Sequence, residues 1–290
     1  MAAHTPQTAA ELLTAAVSRY TDQILRYEPL VLLADHDDDS VHKMRVAVRR
    51  IRSLLRTHRP ILRKAKIRAL DRELKWLAGA LGRVRDLEVQ CARFNSGLRD
   101  LPAGVIAGSR GPAWLIDLRR AEDQARDQLR RELASARYRD LARVLRTLPR
   151  KLPFNRKAAR PASKQTRELL AKAIRKTRTA SDAARGLPAG AERDAALHQA
   201  RKAAKRLRYT ADAAKPKVKE AEKIARRAEH LQEVLGQHHD SVVATGLLTD
   251  IARQDSTNRV EAFDLGLLTA AEQCRREAAT RQARKATAAV

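Results

Sequence analysis

The chain is 290 residues long, room for one large domain or two small ones, and its 43% hydrophobic content excludes wholesale disorder. Aromatic residues make up only 3%, so a core must come from Leu, Val, Ile and Ala, which suits packed helices. Against 34 Asp and Glu stand 60 Lys and Arg, a net charge of +26 that selects polyanions as partners.

Thr5-Pro6 predicts a helix start, with Glu11 to about Glu28 in helical register. The acidic stretch ADHDDDS (34–40) reads as a connection ending in cap residues, and a basic helix follows from about 40 to 58. Pro60 opens a further helix that reaches Gly82, the expected stop or kink, and another covers about 83–98. Residues 100–112 (DLPAGVIAGSRGP) form a loop, Trp114 to Leu133 is helical, and Ser135 caps a shorter helix to Leu148. PRKLPFNRKAARPASK (149–164), with three prolines and no apolar period, reads as a linker. Helices resume at about 164–185, 192–215, 217–236, 238–253 and 257–282. No stretch alternates with period two for long enough to be a strand, so the fold class is all-α.

An internal repeat organises these helices. At an offset of 156, Val41/Leu197, His42/His198, Arg45/Arg201, Arg49/Lys205, Arg50/Arg206, Arg52/Arg208 and Pro60/Pro216 correspond. At an offset of 154, LAGALGRVRDLEV (77–89) aligns with LQEVLGQHHDSVV (231–243), pairing Gly82 with Gly236 and Asp86 with Asp240. Matching blocks in the same order predict a duplicated helical unit: residues 8–150, a linker at 151–163, and residues 164–283.

On the basic helix, Met44, Val48, Ile51 and Leu55 form one apolar face. His42, Arg45, Arg49, Arg52 and Arg56 form an adjoining stripe ~21 Å long at ~1.5 Å per residue. The second copy repeats it as His198, Arg201, Lys205 and Arg208, then places Asp212 where Arg56 stood. Residues 41–60 contain no Asp or Glu. The stripe must therefore be neutralised by carboxylates on other helices or by an external polyanion, because like charges at this spacing repel. Its position beside the apolar face favours a binding stripe over a solvated one. Arg83 and Arg85 are further candidate anion contacts.

Neither His42 nor His198 has a carboxylate on its own stripe to orient it, which favours ligand contact or local structure over general acid-base catalysis. An imidazole among arginines is expected to resist protonation until an anion arrives. GQHHD (236–240) places adjacent histidines about 100° apart on a helix, so a shared metal is not expected and no cofactor is implied. Asp86 and Asp240 are expected to cap the helix after the glycine or to pair with arginine. The patch Asp35, Asp37, Asp38 and Asp39 reads as a solvated loop countering the positive end of the next helix.

VHKMRVAVRRIRSLLR joined to LGRVRDLEV, repeated as LHQARKAAKRLRY joined to LGQHHDSVV, resembles the CHAD (conserved histidine α-helical) domain family over about residues 8–283. The resemblance implies two antiparallel four-helix-type bundles related by pseudo-twofold symmetry, with a basic surface between them, and binding of inorganic polyphosphate with association with polyphosphate granules. By position it implies polyphosphate contacts from His42, Arg45, Arg49, Arg50 and Arg52, to which the stripe adds Arg56 and the glycine block adds Arg83 and Arg85 as candidates. In the second half it implies His198, Arg201, Lys205, Arg206 and Arg208, and Lys202 beside them is a further candidate contact. Gln237 and His238-His239 replace the arginines of RVRD, which puts that contact in doubt in the second half.

The expected function is therefore non-catalytic, stand-alone polyphosphate binding. Nucleic acid is the competing partner, against which stands the lack of aromatic platforms for stacking bases. A phosphohydrolase is a third reading, disfavoured because the acidic residues gather away from the stripe's middle. Cys91 and Cys274 lie far apart, with no disulfide framework, and fit a reducing cytosol. No apolar run reaches the ~18 residues that span a bilayer, and the N-terminus lacks a charged region followed by an apolar one. The expected location is cytoplasmic. Oligomeric state and preferred chain length are not legible in the sequence.

Overall fold

The protein is described by a computed structural model over residues 6–33, 39–101, 112–254 and 259–288. Among these residues the fold is all-α. Its helices are α1 (Ala9–Leu33), α2 (Ser40–Thr57), α3 (Lys64–Arg99), α4 (Ala113–Ala134), α5 (Ala136–Thr147), α6 (Ala162–Arg185), α7 (Ala191–Ala214), α8 (Ala221–Ala252) and α9 (Arg259–Ala288). Short 3-10 turns lie at Arg59–Ile61, Leu148–Lys151 and Arg156–Ala159.

Several predicted boundaries hold for the reasons given. Ser135 has extended backbone, and its hydroxyl accepts from the Tyr138 N–H at 3.3 Å, satisfying an otherwise orphaned donor at the start of α5. Thr8 caps α1, and the cap expected at Thr5 lies outside the described residues. The Thr8 hydroxyl accepts from the Glu11 N–H at 3.2 Å, while the Glu11 carboxylate accepts from the Gln7 N–H at 2.8 Å. Pro60 opens no long helix; it sits in the 3-10 turn, and α3 begins at Lys64.

The largest correction concerns the two repeated glycines. Gly82 does not stop or kink a helix, because α3 runs through it for 36 residues. Gly236 likewise lies inside the 32-residue α8, where two helices were expected. A glycine ends a helix by adopting positive φ, and among the described residues only Gly190, in the turn before α7, does so. The apolar period continues through Leu74, Leu77, Leu81 and Val84, all fully buried, and tertiary packing outweighs the propensity cost of one glycine. Asp86 and Asp240 consequently lie within helices and cap nothing.

Two compact units are present: Met1–Arg85 with Gln124–Ala173 and Arg208–Ala225, and Asp86–Asp123 with Ile174–Leu207 and Arg226–Val290. They are not the sequence segments 8–150 and 164–283, since the boundaries fall inside α3, α4, α6, α7 and α8. A helix of 36 residues is ~54 Å long, more than one small core covers, so α3 serves both units.

In the first unit, Leu13, Val17 and Ile24 of α1 pack with Met44, Val48, Ile51 and Leu55 of α2 and with Tyr138, Leu141 and Leu145 of α5. The proline-rich connection belongs to this core rather than being a loose tether: Leu152 and Ala158 are buried in it. The Arg63 N–H donates to the Pro153 carbonyl at 2.8 Å and the Asn155 N–H to the Ile61 carbonyl at 3.0 Å. In the second unit, one cluster gathers Phe94, Trp114, Leu248 and Leu268. Another gathers Ala184, Leu197, Ala200, Leu231, Leu235 and Ala283. The alanine-rich second cluster lets α7 and α8 approach closely, which matters for the histidines they carry.

Candidate anion-binding sites

The first site is built on α2. Burying Met44, Val48, Ile51 and Leu55 leaves the adjoining stripe at the edge of the core, so His42, Arg45, Arg49, Arg50 and Arg52 are half-buried and only Arg56 is exposed. The Arg45 guanidinium lies against Gly82 of α3. A methyl at the glycine would stand 3.8 Å from Nη2, 3.9 Å from Cζ and 4.0 Å from Nε. The glycine thus leaves room for a guanidinium laid along the helix.

Other members of this stripe are held by carboxylates from distant parts of the chain. Asp71 accepts from Arg52 Nε at 3.0 Å and from Arg56 Nη2 at 3.1 Å. Burial raises the proton affinity of its carboxyl, but the two arginine hydrogen bonds outweigh that and hold its pKa below the ordinary carboxylate value. Arg50 donates to Asp212 at 2.7 Å and stacks over Tyr209 at 4.1 Å and Tyr20 at 5.6 Å. Burial again opposes, and Arg50 with Lys215 again prevails, so the Asp212 carboxyl is also held low. Arg83, exposed, pairs with Glu132 at 2.6 Å, and Arg85 is half-buried one turn beyond Gly82.

The carboxylates that the α2 stripe lacks are therefore supplied in part by Asp71 and Asp212. The latter is the residue that breaks the second stripe, and its role explains the departure: it takes the place of Arg56 in the repeat because it anchors Arg50.

The second site is built on α7 and α8. His198, Arg201 and Lys205 are half-buried, while Lys202 and Arg206 are exposed. Arg206 Nε donates to the Lys202 carbonyl at 3.1 Å. Arg208 is half-buried and belongs to the first unit. Arg201 repeats the arrangement of Arg45, since a methyl at Gly236 would stand 3.8 Å from its Nε. That Nε is buried and makes no hydrogen bond. The nearest Asp240 oxygen is 4.0 Å from Arg201 Nη2, a loose pairing. Burial raises the Asp240 carboxyl, with Arg201 and Arg93 opposing and Asp86 and Glu272 reinforcing.

The imidazoles of His198 and His239 lie in contact, with centroids 4.3 Å apart and planes 38° apart. His198 Nδ1 is buried without a hydrogen bond. Burial, Lys202 and Arg201 lower the His198 pKa, as expected for an imidazole among cations. Burial and the surrounding Arg201, His198, His238 and Lys202 bring His239 down to about 4. His238 points elsewhere: it is buried with Nε2 3.2 Å from Asp194, which also holds Arg276 at 2.5 Å. Among the described residues no group of three His, Cys, Asp or Glu is placed to hold a metal.

In the sequence alone His239 stands only as a lost arginine contact. The repeat register, which sets it opposite Arg85, was the signal that it faces the same site. The acidic residues 34–38 lie outside the described residues, and Asp39 precedes α2 without a side-chain cap bond.

A pattern described as the CHAD domain matches residues 15–249. Two curated relatives, the uncharacterized proteins Rv2226 and MT2285 of Mycobacterium tuberculosis strains H37Rv and CDC 1551, are each 35% identical over 291 residues. That match takes in 97% of this chain and 55% of each relative, so the chain spans about half the length of the curated relatives it matches. Among solved structures, the CHAD domain from the plant Ricinus communis superposes with a TM-score of 0.77 at 25% identity, covering 100% of this chain and 95% of that one. PptA from Streptomyces chartreusis shares the fold with a TM-score of 0.74 at 22% identity, covering 97% and 99%. No helix among the described residues is long and apolar enough to cross a membrane. The duplicated histidine-led basic helix, the fold and these relatives converge: the chain belongs to the CHAD domain family.

Proposed function

We propose that this domain binds inorganic polyphosphate without transforming it. The observation that carries the reading is the duplicated cradle, Arg45 laid over Gly82 and Arg201 laid over Gly236 at the same 3.8 Å approach. Half-buried guanidinium groups are positioned before the ligand arrives, which lowers the ordering cost of binding. Planar forks on a helix edge suit the non-bridging oxygens of a repeating phosphate chain and demand no base stacking.

The aromatic residues support a phosphate polymer over nucleic acid. Tyr20 and Tyr209 lie under Arg50, Trp76 lies under Arg137, and Phe94 packs edge-on with Trp114, so these five are engaged within the fold, and the exposed Phe263 is one ring rather than a stacking platform. A receptor rather than a hydrolase is supported by the His198 ring, whose Nδ1 has no carboxylate to orient it as a general base. Recruitment to polyphosphate granules is the cellular consequence of this reading.

The test is titration with polyphosphates of graded length, with DNA as competitor and phosphate release followed in parallel. Long chains should bind tightly with a steep salt dependence, and pyrophosphate weakly with a shallow one. Reversing Arg45 and Arg49 to glutamate should weaken binding by orders of magnitude. Reversing Arg119 and Arg120, which contact Asn95 and Asp117 on an exposed face, should leave it nearly unchanged. Equal losses would reduce the interaction to diffuse net charge, and phosphate release abolished by His42→Ala would make the protein an enzyme.

A further inference from the structure

The two repeats differ in one chemically consequential place. Where the first carries Arg85, the second carries His239, and the fold stacks that imidazole on His198 at 4.3 Å. Both rings sit beside permanent cations. Arg201 and Lys202 come from α7, and His238 flanks His239 on α8; Asp240, next along α8, is 4.0 Å from Arg201. From α9, Arg276 is held on Asp194, beside His238 rather than beside the stacked pair. His198 Nδ1 and Arg201 Nε are both buried and make no hydrogen bond.

Resting on the polyphosphate reading above, we propose that anion binding at this second-repeat site is coupled to proton uptake by the stacked His198–His239 pair, so that this site tightens as the pH falls. Without an anion, two touching imidazoles next to Arg201 and Lys202 stay neutral, because a charge on either is desolvated and repelled. An anion between them and the arginine reverses that balance. It accepts hydrogen bonds from the newly protonated rings, and the protons come from the solvent.

The linkage has a definite sign. A group protonated more readily in the complex than in the free protein strengthens binding as pH falls through its bound-state pKa, and the gain levels off at its free-state pKa. For His239 the free-state value is about 4, so the gain spans the physiological range of imidazole titration. At the corresponding place the first repeat pairs His42 with Arg85 in the register rather than with a second histidine.

The experiment is calorimetry of long-chain polyphosphate binding in buffers of different ionisation enthalpy, with dextran sulfate, whose sulfates do not titrate, run alongside. Wild type should take up protons on binding either polymer and gain roughly tenfold in affinity between about pH 8 and about pH 6. His239→Gln should lose most of the uptake and of the gain. His239→Arg, which restores the first repeat's residue, should bind at about pH 8 at least as tightly as wild type with reduced uptake. Binding to both polymers with equal uptake in wild type and His239→Gln, or with none in either, overturns the inference and leaves the polyphosphate reading intact. Proton-coupled binding to dextran sulfate without binding to polyphosphate sinks the polyphosphate reading alone. Binding to neither sinks both.

Discussion

The two copies of the basic helix began as one pattern and now do different work. In the first, Arg52 and Arg56 share Asp71, and Arg50 is fixed by Asp212 between two tyrosines. In the second, Arg50's counterpart Arg206 is exposed, and its Nε donates to the Lys202 carbonyl within its own helix. Arg56's counterpart has become the carboxylate that anchors Arg50, and Arg85's counterpart has become a histidine. What survives in both copies is the arginine over a helical glycine. The difference teaches which positions tolerate divergence: those whose charge the fold can use for itself, rather than those that hold a guanidinium against a glycine.

The largest effect expected from this comparison lies at His58, whose counterpart at the offset of 156 is Ala214. His58 is fully enclosed, with Nδ1 3.1 Å from the Leu54 carbonyl, and burial lowers its pKa to about 4. The unfolded chain protonates near 6.5, so below that pH it binds more protons than the folded state. Stability is then full above about 6.5 and falls as pH drops toward about 4, by up to about 3 kcal/mol. Urea denaturation across this range should show wild type losing stability faster than His58→Ala, the second repeat's own residue. Parallel curves would remove the assignment.

Next in size is the pair that only one copy possesses. Asp212→Ala leaves Arg50 half-buried without its carboxylate, and Arg50→Ala leaves Asp212 to Lys215 alone, each at a cost of about 2 kcal/mol in the urea midpoint. Arg206→Ala, at the same repeat position on an exposed surface, should stay within about 0.5 kcal/mol. Similar costs at the two positions would mean that the Arg50 anchor contributes no more than surface charge.

The smallest effects sharpen what the two copies share. A methyl at Gly82 or Gly236 would meet the arginine at 3.8 Å, ordinary contact distance. Gly82→Ala and Gly236→Ala should each raise stability by up to about 1 kcal/mol through helix propensity while sparing polyanion affinity. Gly82→Leu, by contrast, needs the volume that the Arg45 guanidinium occupies and should weaken binding. If leucine bound as well as glycine, the cradle would have no role.

Residues near one another in sequence carried most of the fold into view. The spacing of Met44, Val48, Ile51 and Leu55 defined α2 and its buried side, Ser135 marked the start of α5, and the ordered matches between residues 41–89 and 197–243 exposed the duplication. Each of these depends on interactions within a turn or two of helix, which the local pattern encodes. The continuity of α3 through Gly82 was not legible, because a glycine's cost is local while the packing that overrides it comes from other helices. The partners of the stripe were not legible either: Asp212 is 162 positions from Arg50, and His198 meets His239 only because alanines let α7 and α8 come close. The sequence by itself determined an all-α chain, its duplicated basic helix and its demand for negative charge. Tertiary structure alone decided which arginines the fold neutralises internally and which histidines touch, because charge pairing and desolvation depend on distances in space rather than along the chain.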